Sequence, residues 1–246
     1  MLNLKKSLLA AAFSVAVMTA ASGASAFVLG PTVPGKWGPP ALGTGATITW
    51  GLMGSGLATD GGPSTALATF MPAGFLAQIQ AAFDAWEAIA NIDFVFAADS
   101  GLPFNDPGAT VPNLRLTGHA FDGPNGTLAH GFFPPVNGTT AAGDIHFDTA
   151  ELWKIGFGGP GFDIFQVAAH EIGHAIGLDH TGVPASLMNP FYTEAFAGLQ
   201  ADDIAGAVFI YGAAVAVPEP AAISLLAIGL LGARLFGRRA VAVVRA

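Results

Sequence analysis

The eleven residues His170-Glu171-Ile172-Gly173-His174-Ala175-Ile176-Gly177-Leu178-Asp179-His180 constrain this chain more than any other stretch. Histidines four apart on a helix project from one face, one turn apart, so both imidazoles reach a single ion. Glu171 then lies beside them. Gly177 lets the chain leave the helix sharply through a left-handed backbone and brings His180 round as a third ligand. Three neutral imidazoles leave one tetrahedral position for water, the arrangement of a hydrolytic zinc site. There the pKa of a water falls from about 15.7 towards about 7. Glu171 is the group placed to take its proton and return it to a leaving amine. The zinc also polarises a scissile carbonyl and steadies the developing oxyanion. A bare His-Glu-x-x-His arises often by chance, but Gly177 and His180 complete a pattern that three unliganded histidines and an accidental glutamate do not explain.

The rest of the composition is compatible with such a site. There are no cysteines among the 246 residues, so any metal must be held by histidines and carboxylates. The net charge of −8 and the lack of a basic stretch in the central region exclude nucleic acid as a partner. The mean hydropathy of +0.55 reflects apolar termini rather than an apolar middle. Residues 1–26 carry Lys5 and Lys6, an apolar run from Leu8 and the small residues Ala24-Ser25-Ala26, which together read as a signal peptide. At the other end Val217-Pro218-Glu219-Pro220 precedes an apolar run and then Arg238, Arg239 and Arg245, in a segment near the lower limit for crossing a bilayer. The expected organisation is a signal peptide at 1–26, an irregular lead-in at 27–45, one catalytic domain at 46–213, and a linker with an apolar, basic-ended tail at 214–246.

Within the domain, Thr47 to Met53, Ile92 to Phe96 and Asn113 to Leu116 read as strands. Phe75, Ile79, Ala82, Phe83, Trp86 and Ile89 recur at spacings of three and four, the buried stripe of a helix over about 73–90. Residues 117–148 read as dense in loops although they hold three of the six histidines. A second helix runs from Asp163 to Gly177 and a last one over about 199–211. Strands alternating with helices give an α/β (α+β) layer with a small mixed β-sheet.

Taken together, these residues resemble the matrixins, the metzincin group that contains the matrix metalloproteinases. The likeness runs from about Ala46 to Gly212. Gln166-Val167-Ala168-Ala169 leads into the zinc helix as in that family, and Ser186-Leu187-Met188-Asn189-Pro190 stands where the family has its Met-turn. The resemblance implies a metzincin fold with Met188 beneath the zinc ligands. It also implies a wall of the S1′ pocket at Pro190, Phe191 and Tyr192, and a protein or peptide substrate lying extended beside Leu128 and Ala129. It puts His130 and His146 at two positions of a structural zinc. Asp122, Asp148 and Glu151 fall at one calcium site and Asp144 at another, hard oxygen ligands of the kind calcium takes. The structural zinc departs from the family pattern: its other two ligands align with Arg115 and Thr117, and only His119, four residues late, offers compensation. The tail resembles a PEP-CTERM sorting signal. That likeness implies an exosortase-type sorting enzyme as a partner and a transient or anchoring contact with the membrane. The implied setting is the envelope or exterior of a Gram-negative bacterium.

The expectation is a monomeric, exported zinc endopeptidase. The family's cysteine-bearing prodomain has no counterpart here, so activity is expected on export or under some other restraint. The competing reading is a zinc-bound surface or matrix-binding protein with weak turnover, which the presence of Glu171 disfavours. A zinc amidase acting on non-protein substrates has no use for the apolar wall at 190–192.

Overall fold

The computed structural model describes residues 26–135 and 140–215. The expected export signal, but for its last residue, and the sorting tail lie outside the described residues, and among the latter no helix is long and apolar enough to cross a membrane.

The strand β1 (Val28–Leu29) is followed by β2 (Ala46–Leu52), helix α1 (Phe75–Glu87), β3 (Ile92–Phe96), β4 (Leu114–His119), β5 (Ala129–Gly131) and β6 (Ile145–Asp148). After these come β7 (Trp153–Lys154), β8 (Phe162–Asp163), helix α2 (Ile164–Ala175), β9 (Leu178–Asp179) and helix α3 (Ala201–Tyr211). One five-stranded sheet runs in the order β3-β2-β4-β6-β5, parallel throughout except for the antiparallel edge strand β5. Parallel neighbours need a crossover, and α1 supplies it between β2 and β3. Ile79, Ala82, Phe83 and Trp86 bury the expected stripe of α1, while Phe75 and Ile89 pack at its margin. Phe83 stacks on Trp50 of β2 with ring centroids 4.5 Å apart. The Trp86 indole donates to the Ala169 carbonyl at 2.9 Å and so fixes α1 to α2 inside the core.

The two faces of the sheet differ. Leu114, Leu116, Ile145 and Phe147 point into the apolar core shared with the helices. By the period of two, Arg115, Thr117, His119, His146 and Asp148 occupy the other face, and all five are also buried. Loops cover that polar face. Reading residues 117–148 as loop-dense therefore missed two short strands and the extension of β4 to His119. β6 does alternate, as Ile145-His146-Phe147-Asp148, but over only four residues set among turn-rich segments, too short a run to stand out.

The lead-in at 27–45 is likewise more ordered than its Gly and Pro content suggests. β1 pairs with β9, and Gly30 N–H donates to the Gly177 carbonyl at 2.9 Å. Lys36 is buried, its ammonium donating to the carbonyls of Trp37 and Pro39 and lying 4.9 Å from the Tyr211 ring centroid.

Candidate metal centre and cleft

Helix α2 forms because Asp163 caps it, its carboxylate accepting the Gln166 N–H at 2.9 Å, and because Ile164, Val167, Ala168, Ala169 and Ile172 give it a continuous buried stripe. It stops at Gly177, whose φ of +110° suits glycine and whose added Cβ would meet the Gly35 carbonyl oxygen at 2.2 Å. The chain then turns through β9 and delivers His180.

The geometry that results has one reading in donor chemistry. His170 Nδ1 donates to the Leu187 carbonyl at 2.6 Å and His174 Nδ1 to the Leu178 carbonyl at 2.8 Å, which leaves both Nε2 atoms as lone pairs. His180 Nε2 lies 3.2 Å from each of them. A single proton on His180 cannot serve both contacts. One cation among the three atoms satisfies all of them, and donors about 2.0–2.1 Å from a tetrahedral zinc are separated by about this distance. Burial, reinforced by the neighbouring imidazoles, lowers His170 to about 3 and His174 to about 4, so both are neutral ligands at neutral pH. The residues fit a zinc ion.

Glu171 is 5% exposed and its Oε2 has no partner. Burial raises its carboxyl to about 8, against the opposing pull of the Gly131 N–H. The Met188 sulfur packs against Gly173, between the two helical histidines, so Met188 sits beneath that part of the helix. A cleft of about 490 Å³ opens over His170, Glu171 and His180, and Leu128, Ala129, Pro190, Phe191 and Tyr192 all line it. The edge strand β5 forms one side and the 190–196 segment the other.

His130 and His146 sit opposite each other across the β5–β6 pair, and His119 ends β4 on the same face. The family-aligned positions do not join them. Arg115 is spent on Asp99, with Nε to Oδ2 at 2.7 Å, and the Thr117 hydroxyl donates to the Thr65 carbonyl. Asp60 completes the group instead: its Oδ1 lies 2.8 Å from His146 Nδ1 and 3.1 Å from His119 Nε2, and its Oδ2 lies 3.2 Å from His130 Nε2. His119 thus belongs to the cluster rather than standing aside from it.

The expected calcium residues surround the 121–127 turn. The Asp122 carboxylate accepts the Thr127 N–H and hydroxyl, Glu151 Oε1 accepts Gly126 N–H, and Asp148 Oδ1 accepts the Phe121 and Ala150 N–H groups. Asp148 Oδ2 and both oxygens of Asp144 are buried without a partner, and burial holds Asp144 well above the usual carboxylate range.

Three functional residues escaped the sequence reading. Asp60 is one. Asp203, on the closing helix, accepts the Ser186 hydroxyl and the backbone N–H groups of Leu187, Met188 and Gln200. It thereby fixes the turn whose Leu187 carbonyl orients His170. Gln166, read only as a lead into α2, accepts the Gly198 N–H at 2.8 Å and donates to the Phe196 carbonyl at 3.3 Å, tying the far wall of the cleft to α2. Only the capping box of α3, Gln200 with Asp203, was a signal visible in the sequence.

Comparison with known proteins gives a consistent picture. The Matrixin family model matches residues 66–212. Stromelysin-3 of Xenopus laevis is 53% identical over 94 residues, 38% of this chain and 19% of that protein. Karilysin of Tannerella forsythia is 42% identical over 106 residues, 43% of this chain and 22% of that protein. Human matrix metalloproteinase-16 is 37% identical over 152 residues, 58% of this chain and 24% of that protein. The chain thus spans about a fifth to a quarter of the length of these curated relatives.

Proposed function

Because the chain belongs to the matrixin family, we propose that it is a zinc-dependent endopeptidase that hydrolyses peptide bonds with Glu171 as general base. The observation that carries the reading is the convergence of His170, His174 and His180 on one point beside the unpartnered Oε2 of Glu171, at the floor of the cleft. A zinc ion held by the three imidazoles supplies Lewis acidity, lowering the pKa of a water to about 7 and polarising a carbonyl.

The chain's own groups do the rest. A substrate strand lies along Leu128 and Ala129 and exchanges backbone hydrogen bonds with that edge, which fixes the scissile bond over the α2 histidines. Leu128, Val167, Leu187, Tyr192 and Phe196 surround the side chain that follows the scissile bond and favour an apolar one. Glu171 takes a proton from the attacking water and returns it to the leaving amine. Its burial keeps its proton affinity high enough for both transfers, and the positive charge of the metal favours its ionised form before attack. Met188 supports the helix from below, and Asp203 with the Leu187 carbonyl holds the His170 ring in its ligating tautomer.

The same reading includes a second, structural zinc on His119, His130 and His146. It includes calcium at the turn formed by Asp122, Asp148 and Glu151 and at Asp144, where the orphaned oxygens of Asp148 and Asp144 favour a hard cation. It also includes export through residues 1–26, sorting of the tail by an exosortase-type enzyme, and an envelope or extracellular site of action, supported by the order of segments in the sequence. Incubating the purified chain with casein and a peptide library tests the activity. Cleavage that stops with a zinc chelator and returns with zinc is expected. A folded, zinc-loaded chain that cleaves nothing overturns the reading in favour of a binding protein on the same fold.

A further inference from the structure

Residues 54–65 form a narrow antiparallel hairpin on the polar face of the sheet. Its base is zipped by Gly56 N–H to the Ser64 carbonyl at 2.8 Å and Ser64 N–H to the Leu57 carbonyl at 2.7 Å. Thr65 docks it on β4 by exchanging both backbone bonds with Gly118, at 2.6 and 3.0 Å. The tip is Thr59-Asp60-Gly61-Gly62, closed by Thr59 N–H to the Gly62 carbonyl. At Gly61 an added Cβ would lie 2.4 Å from His119 Cε1, so the tip is shaped to lie against that imidazole.

The contact that holds the tip down is electrostatically incomplete. His119 Nδ1 is 3.0 Å from the Ala120 carbonyl, which fixes its proton there and turns the Nε2 lone pair towards Asp60 Oδ1 at 3.1 Å. Either a second ring proton or a metal ion would satisfy that contact, and the convergence of two further imidazoles on the same carboxylate favours the metal. His146 Nδ1 and His130 Nε2, themselves 3.2 Å apart, complete the set around the same point. Three imidazoles and one carboxylate match the ligands and the coordination number of a closed tetrahedral zinc site. Phe104, Phe121 and Phe132 pack around these rings, at centroid distances of 5.4 Å from His146, 4.8 Å from His130 and 5.2 Å from His130 respectively, which shields the cluster on the side of the buried His119 and His146 while His130 and Asp60 stay partly exposed.

Resting on the reading of a second zinc given above, we infer that Asp60 is its fourth ligand and that the ion fastens the 54–65 hairpin across the sheet to β5. Asp60 stands 59 residues before His119 and 86 before His146, so the ion ties the hairpin tip to β4 and β6 across long loops that the hairpin's own hydrogen bonds do not span. His130 links the ion to β5, whose Ala129 lines the catalytic cleft. Occupancy of the second site therefore sets the order of the strand against which substrate lies.

The test uses the full chain carrying Glu171→Gln to prevent self-cleavage, alone and with Asp60→Ala, with zinc content and hydrogen exchange measured during stepwise chelation. Two zinc ions per chain are expected without the second substitution and one with it. Affinity for the second ion should fall by more than the about 10–100-fold that loss of an outer partner costs. Exchange should rise at 57–63 and 128–131 together, while the zinc helix stays protected. In the chain that keeps Asp60, both segments should open at the chelator concentration that removes the second zinc, a readout independent of how the variant folds. One zinc per chain with Asp60 intact would overturn the second site itself. Two zinc ions held equally well after Asp60→Ala would leave that site standing and overturn the role of Asp60.

Discussion

At the scale of single residues, the catalytic set was legible because its members lie within eleven positions, where helical periodicity alone dictates their juxtaposition. Asp60 and Asp203 were not, since each reaches its partners through tertiary structure. Nothing local distinguishes Thr59-Asp60-Gly61-Gly62 from an ordinary turn. Asp203 accepts four donors while 1% exposed. Asp203→Ala leaves several buried donors unpaired, at about 1–3 kcal/mol each. Thermal unfolding should register a loss of at least about 3 kcal/mol, and titration with zinc a weaker catalytic site, because the turn that orients His170 is released. A variant with unchanged zinc affinity would show that this turn does not govern the metal.

Among the elements, α1 was legible from its apolar stripe alone, and α2 from its stripe, the Asp163 cap and the Gly177 stop together. The short strands β5 and β6 escaped because they run for only three and four residues, β5 half-buried at the sheet edge and β6 alternating core residues with His146 and Asp148. The junction of α2 and β9 depends on Gly177. Gly177→Ala forces a Cβ into a positive-φ backbone, at about 1–2 kcal/mol, and against the Gly35 carbonyl besides. The chain should lose thermal stability and bind the catalytic zinc more weakly, since His180 is displaced; calorimetry with zinc titration reads both. Gln166 joins α2 to the 193–198 segment through both ends of its amide. Gln166→Leu should loosen the pocket's far wall and change the preference between large and small side chains after the scissile bond by about tenfold in kcat/KM. A preference that stays constant while stability falls would reduce Gln166 to packing.

For the whole molecule, the fold gathers its six histidines into two clusters, and their burial governs much of its response to pH. An unfolded histidine takes a proton below about 6.5, whereas burial keeps His170 neutral to about 3 and His174 and His130 to about 4. Between about 6.5 and 4 the unfolded chain therefore binds more protons, and the stability of the metal-free protein falls as pH falls. Glu171 acts in the opposite sense: raised to about 8, it keeps its proton in the folded state above the unfolded range and lowers stability as pH rises from about 4.5 to 8. Buried His146, also lowered, adds to the first effect and buried Asp144, also raised, to the second. With four histidines set against two carboxyls, the metal-free chain should lose stability on acidification from about 6.5; denaturant titration across pH measures it, and a stability that rises from pH 6.5 to 5 would contradict the assignment. The proposed hydrolysis turns on Glu171 as the base at a zinc held by His170, His174 and His180. The most direct measurement is kcat/KM on one peptide for the wild-type chain and Glu171→Gln at matched zinc content. A fall of about 10²–10⁴-fold is predicted, and a variant within tenfold of wild type would contradict it.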